Sequence, residues 1–154
     1  HDALPISYSG NLSDVAVRVQ QEVTGAAAQR AEGESLHIRM APDGHFWANG
    51  EINGTGARFL IDSGATISSI SDDVARQAAL NIDESGPGVV MQTANGTVLA
   101  RRSSINGLTI GPVRTSDLPV IVSDRFNGVN VLGMNFLSRL KSWRVENGEM
   151  VLEP

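Results

Sequence analysis

The chain has 154 residues and a mass of 16.3 kDa, enough for one domain with a real core and too short for two. With no cysteine it excludes disulfide scaffolds, thiolate metal sites and cysteine nucleophiles. A net charge of −5 without a basic patch sets nucleic acid aside as a partner, and the apolar runs are too short to span a bilayer.

From Leu12 to about Glu32 the spacing of Leu12, Val15, Ala16, Val19, Val23 and Ala26 predicts an amphipathic helix, with Asn11 or Ser13 as its cap. Thr24-Gly25 weakens its centre. Residues 1–35 are expected to form a helical extension or linker, and 36–154 the folded domain. The first residue is His1, so the expectation is an excised ectodomain or a trimmed chain.

From Leu36 onward the pattern is β. Six of the ten Asn residues precede a Gly, at Asn49, Asn53, Asn95, Asn106, Asn127 and Asn147. Asn-Gly supplies both positive-φ positions of a type I′ turn and is the strongest short hairpin signal. Strands are predicted over Leu36–Met40, His45–Ile52, Ala57–Ile61 and Ile67–Ile70. Ser71-Asp72-Asp73 then caps a helical turn through Val74–Leu80. Val89–Gln92 and Val98–Ile105 read as a long hairpin around Thr93-Ala94-Asn95-Gly96-Thr97. Asn106-Gly107 is expected to turn the chain into Leu108–Ile110, and Val113–Val122 to be strand interrupted by Pro119. Val129–Leu132 is an apolar strand, Met134–Leu140 a short helix, and Ser142–Glu146 with Glu149–Leu152 a last hairpin across Asn147-Gly148.

One carboxylate stands apart from the solvated turn acids. Asp62 ends the apolar run Phe59-Leu60-Ile61 and precedes Ser63-Gly64-Ala65-Thr66. A charge carried to an apolar strand end costs several kcal/mol unless it is paired or neutralised. A plain Asp-Ser-Gly turn, with the side chain capping backbone donors, accounts equally for the tripeptide alone. A second strand-Gly-helix segment, Val131-Leu132-Gly133-Met134-Asn135-Phe136-Leu137, follows 69 residues later at matching glycines.

In this order and spacing, Gly44-His45-Phe46, Ile52-Asn53-Gly54, Phe59 to Thr66, Thr93 to Gly96 and Val131 to Leu137 resemble the retropepsin-like, single-domain aspartic protease family. Within it the likeness is to bacterial, membrane-anchored, periplasmic-type members, and it covers the chain from Leu36 to its end. The resemblance implies an all-β, closed acid-protease-like barrel that cleaves peptide bonds in extended polypeptides without cofactor or metal. It implies a periplasmic or membrane-associated ectodomain, with the cytoplasm still open.

Such chemistry needs two carboxylates close enough to share one proton, because like charges at that distance cannot both ionise. The ionised member takes a proton from water while the protonated member donates to the scissile carbonyl. This chain has one such Asp. The resemblance therefore implies that Asp62 from two copies meets on a two-fold axis, with Ser63 tying the two loops together and Gly64 allowing close backbone approach. It makes Thr93, Ala94, Asn95, Gly96 and Thr97 the substrate-covering flap and Val131, Leu132, Gly133 and Asn135 the second motif.

Two positions depart from the viral pattern. Where those members carry an acidic residue after the first motif and an Arg after the second glycine, this chain has Thr66 and Met134. Both halves of that ion pair are missing together, so neither charge is stranded, and the hairpin from Ser142 to Leu152 becomes the candidate replacement interface. His1, His37 and His45 lack metal-ligand spacing, and there is no Gly-x-Ser-x-Gly elbow or phosphate loop. Trp47 and Trp143 read as core or interface residues. The alternatives are a retropepsin-like module that binds peptide or assembles without cutting, and a protease that chiefly trims its own N-terminal segment.

Overall fold

A computed structural model of the protein describes residues 28–86, 88–93, 96–123 and 128–154, with the Thr93 side chain outside that description. Among the described residues eleven strands and two short helices follow one another. They are β1 (Gln29–Glu32), β2 (Ser35–Arg39), β3 (Phe46–Ile52), β4 (Thr55–Ile61), β5 (Ser68–Ile70), α1 (Asp72–Gln77), β6 (Val89–Thr93), β7 (Gly96–Ile110), β8 (Val113–Val122), β9 (Asn130–Leu132), α2 (Met134–Leu137), β10 (Ser142–Glu146) and β11 (Glu149–Glu153).

Six strands close into a barrel in the order β3-β4-β9-β5-β8-β7, and β7 returns to β3 through Glu51↔Thr109 and Ile52↔Leu108. Closure depends on a missing side chain. A Cβ at Gly50 would lie 2.5 Å from the Thr109 carbonyl oxygen and 2.8 Å from Ile110 Cγ1. The barrel is filled by Ile52, Phe59, Ile61, Ile70, Ile105, Leu108, Leu118, Val120, Leu132 and Phe136, which form one buried cluster. β6 pairs with β7 alone and so stands outside the ring.

A second, antiparallel sheet runs β1-β2-β11-β10. Its strands alternate, with Leu36, Ile38, Met150 and Leu152 joining the core cluster and His37, Arg39 and Glu149 on the other face, where Val151 is also buried.

The predicted helix from Leu12 lies outside the described residues as far as 27, and its last turn is not helical. Gln29–Glu32 is a strand, paired Gln29↔Ile38 to Glu32↔Ser35, because β2 offers a free edge that local propensity cannot register. Asn53-Gly54 (φ 51° and 83°) and Asn147-Gly148 (φ 52° and 73°) make the expected turns. Asn106-Gly107 does not: β7 runs unbroken through it. The Gly107 amide donates to Asn53 Oδ1 at 3.0 Å and the Asn53 amide to the Gly107 carbonyl at 2.8 Å, which holds the pair extended. The chain reverses instead at Gly111, whose φ is 56°. Asn49-Gly50 is likewise interior strand. Pro119 does not break β8, since pairing with β5 begins only at Ser68↔Val120.

Candidate functional site

Asp62 sits where β4 runs out beside β9. The two strands are parallel, with Phe59↔Asn130, Leu60↔Val131 and Ile61↔Leu132, and the Asp62 amide adds one more rung by donating to the Leu132 carbonyl at 2.9 Å. Phe59 and Leu60 are fully buried, so the strand beneath the carboxylate is rigidly held. Beyond it the chain turns at once, with the Ala65 amide donating to the Asp62 carbonyl at 3.2 Å. The Gly64 amide donates to Asp62 Oδ1 at 2.8 Å. The turn-capping reading is therefore true of one carboxylate oxygen, and it leaves Oδ2 without a hydrogen bond among the described residues. Asp62 is half-buried, while Ser63 and Gly64 are exposed.

The second motif locks this loop from behind. The Met134 amide donates to the Ala65 carbonyl at 2.7 Å and the Asn135 amide to the Thr66 carbonyl at 3.1 Å. A Cβ at Gly133 would lie 2.5 Å from that same Ala65 oxygen, so only glycine permits the approach. The Asn135 side chain finishes the arrangement. Its Oδ1 accepts from the Ser68 amide at 2.9 Å and the Ser68 hydroxyl at 2.7 Å, and its Nδ2 donates to the Pro119 carbonyl at 2.7 Å. Ser68 Oγ in turn accepts from the Gly133 amide at 3.0 Å. Such a network, satisfied throughout, fixes geometry because each member loses a partner if any other moves.

The structure thus gathers Asp62, Ala65 and Thr66 with Leu132, Gly133 and Asn135, and Val131 lies in the adjoining strand. At the two positions that depart from the viral pattern, Thr66 is exposed and contributes its backbone carbonyl, while Met134 packs partly buried against the core. The Ser63 hydroxyl has no hydrogen-bond partner among the described residues.

The second group of expected residues lies on the β6–β7 hairpin. Thr93↔Gly96 and Gln92↔Thr97 are its last pairs, and Gly96 (φ 115°) and Thr97 are exposed. Ala94 and Asn95 lie outside the described residues. The hairpin carries an exposed cross-strand pair, Val90 and Leu99, at 62% and 69% relative accessibility.

Two buried polar residues escaped the sequence reading. Ser68 is wholly buried, and Asn130 is 4% exposed. Asn130 Oδ1 accepts from the Ser71 amide at 3.0 Å and its Nδ2 donates to the Arg58 carbonyl at 3.0 Å, bridging the strands on either side of β9. A polar residue set inside an apolar run was the available signal, in Ile67–Ile70 and in Asn130-Val131-Leu132. Among the described residues no three His, Asp or Glu side chains gather to hold a metal ion, and no helix is long and apolar enough to cross a membrane.

Comparison with known proteins bears on the family and the fold. The model of a family described as "gag-polyprotein putative aspartyl protease" matches residues 48–139, from within β3 to just past α2. An uncharacterized protein of Rickettsia prowazekii is 25% identical over 115 residues, which is 75% of this chain and 49% of that protein. An uncharacterized protein of a Sinorhizobium species is 26% identical over 124 residues, 79% of this chain and 53% of that one. The chain therefore spans about half the length of the curated relatives it matches. Among solved structures, a retropepsin-like aspartic protease from Rickettsia conorii superposes with a TM-score of 0.68 at 24% identity, covering 82% of this chain and 96% of the other. That likeness is one of fold.

Proposed function

The chain belongs to the gag-polyprotein aspartyl protease family, of retropepsin-like fold, and on that premise we propose that it is an aspartic endopeptidase whose two catalytic carboxylates are Asp62 from each of two copies. The observation that carries the reading is the Asp62 loop itself. A single acidic side chain ends a buried strand, has one oxygen without a hydrogen bond among the described residues, and is held by a backbone and side-chain network built on the second motif.

In the proposed mechanism two such loops face each other across a two-fold axis. At that separation both carboxyl groups cannot stay ionised, so the pair shares one proton. The ionised oxygen takes a proton from a water as it attacks the scissile carbonyl carbon, and the protonated partner donates to the carbonyl oxygen. Collapse of the tetrahedral intermediate returns a proton to the leaving nitrogen and frees the two peptide ends. The Ser63 hydroxyl, without a hydrogen-bond partner among the described residues, would tie its loop to that of the other copy. Gly64 leaves room for both that loop and an extended substrate.

The β6–β7 hairpin acts as the flap. It projects from the barrel through β7 alone, and backbone pairing of its end with an extended peptide would exclude water from the dyad. β10 is the proposed contact between copies. It is an edge strand with Arg144, Val145 and Glu146 exposed, and pairing there would satisfy its free backbone groups. An anchored, periplasmic setting is part of the same proposal and rests on family likeness.

The test is hydrolysis of extended peptides at mildly acidic pH by the wild-type chain and by Asp62→Asn. Asn preserves the acceptor for the Gly64 amide, so the fold is expected to persist while cleavage disappears. Equal cleavage by the two proteins would overturn the assignment.

A further inference from the structure

The face of the β1-β2-β11-β10 sheet turned from the core is largely charged, and His37 lies at its centre. Arg30 stands directly opposite it on β1, and Val151 on β11. Diagonal to it are two carboxylates, one on each neighbouring strand. His37 Nε2 lies 2.9 Å from Glu32 Oε2 of β1, and Nδ1 lies 3.4 Å from Glu149 Oε1 of β11. Arg30 bridges the same two acids, reaching Glu32 at 3.1 Å and Glu149 through both of its terminal nitrogens. The same face carries Ser35 and Arg39 on β2 and Ser142 and Arg144 on β10, Arg144 pairing with Glu146 at 3.1 Å and Glu153 at 3.4 Å.

Both ring nitrogens of His37 thus point at anions. A neutral imidazole has one N–H, so it serves one carboxylate and turns a lone pair toward the other. The imidazolium donates to both. The same step takes the group of Arg30, Glu32, Glu149 and His37 from a net charge of −1 to zero.

β1 is the strand with most to gain. It has four residues, none of them buried, and one hydrogen-bonded neighbour. Beyond the sheet, the Gln29 side-chain amide brackets Asn49 of β3, donating to its carbonyl at 3.0 Å and accepting from its amide at 2.8 Å, and the Arg39 amide donates to the Ala28 carbonyl at 2.7 Å. We propose that His37 is a pH-dependent latch: its imidazolium pins β1 to β2 and β11, and loss of that proton loosens the strand through which residues 1–27 join the domain.

The sign follows from the charges. Docking is strengthened by the bound proton, so it weakens as rising pH removes that proton. On the acid side the latch holds until the carboxylates protonate. The hydrogen bond from Arg30, then the one from His37, holds Glu149 below the usual carboxylate range and extends that limit downward. The device is independent of peptide hydrolysis, so it stands or falls apart from the proposed activity.

The test is amide hydrogen exchange across Gln29–Glu32 at pH 5.5 and 7.5, corrected for intrinsic exchange, with β4 and β8 read as references for global opening. About two- to fivefold greater protection of β1 at pH 5.5 is expected, the range partly exposed ion pairs supply. His37→Gln should abolish the difference, and Glu32→Gln, which removes the negative charge facing Nε2, should reduce it. Equal β1 protection at the two pH values, the same pH difference in His37→Gln, or a change shared equally by β4 and β8 would overturn the latch.

Discussion

The backbone amide of Asp62 donates to the carbonyl of Leu132 at 2.9 Å, so the candidate catalytic residue is the last rung of a parallel ladder rather than part of a free loop. The next two carbonyls that matter, of Ala65 and Thr66, are taken by the amides of Met134 and Asn135. Position at the site is therefore set by a segment some seventy residues further along the chain.

Replacing Gly133 by Ala should damage the site from a distance. Its Cβ would meet a backbone oxygen, at 2.5 Å from Ala65, and backbone cannot swing aside as a flexible side chain would. A loss of about 1–3 kcal/mol in urea unfolding is expected from such overpacking. Peptide hydrolysis should fall by more than the loss of folded protein explains, because the Ala65 carbonyl is part of the Asp62 turn.

Removing the Asn135 side chain should cost similarly for the opposite reason. In Asn135→Ala the Ser68 amide and hydroxyl and the Pro119 carbonyl lose their partner together. Leaving such groups unpaired costs about 1–3 kcal/mol each where they are buried, and Ser68 is. Asn135→Asp keeps the acceptor for Ser68 and should retain more stability than Asn135→Ala at neutral pH, measured by urea midpoint.

Asn130→Leu removes a buried amide that serves the Ser71 amide on one side and the Arg58 carbonyl on the other. A loss of about 2–3 kcal/mol is expected by thermal or urea unfolding. The effect should appear even though Asn130 touches no catalytic group, since β9 has only three residues with which to hold the Asp62 strand end.

These network residues mark the boundary of what the sequence made legible. The Asp62-Ser63-Gly64 and Gly133 to Asn135 segments could be read because each motif is local, and the family resemblance they carried implied the closed barrel. Ser68 and Asn130 could not, because their partners lie 67 and 59 residues away and a lone polar residue in an apolar run has many fates. Asn106-Gly107 misled for the same reason. Its turn propensity is strong, but hydrogen bonds to Asn53 outweigh it. Gln29–Glu32 continued a helical period and became strand because β2 supplied an edge.

Stability should fall on acidification in a definite way. Hydrogen bonds hold three carboxylates below the usual range: Asp83 by the Ser85 hydroxyl and the Gly86 amide, Glu149 by Arg30, and Glu153 by the Ser142 hydroxyl. A group with a depressed folded pKa stabilises above its unfolded value, and that contribution disappears as pH drops through the folded one. The urea midpoint should therefore decline as pH passes down through and below the ordinary carboxylate range. Glu149→Gln should lower the midpoint at neutral pH and make that decline shallower.

The central claim, that one Asp62 is half a catalytic centre, is tested most directly by mixing. A fixed amount of wild-type chain is titrated with the Asp62→Asn chain, and hydrolysis of an extended peptide is followed. The account predicts that activity falls toward zero as mixed pairs, each with a single carboxylate, replace wild-type pairs. Wild-type activity that stays constant throughout the titration would contradict it.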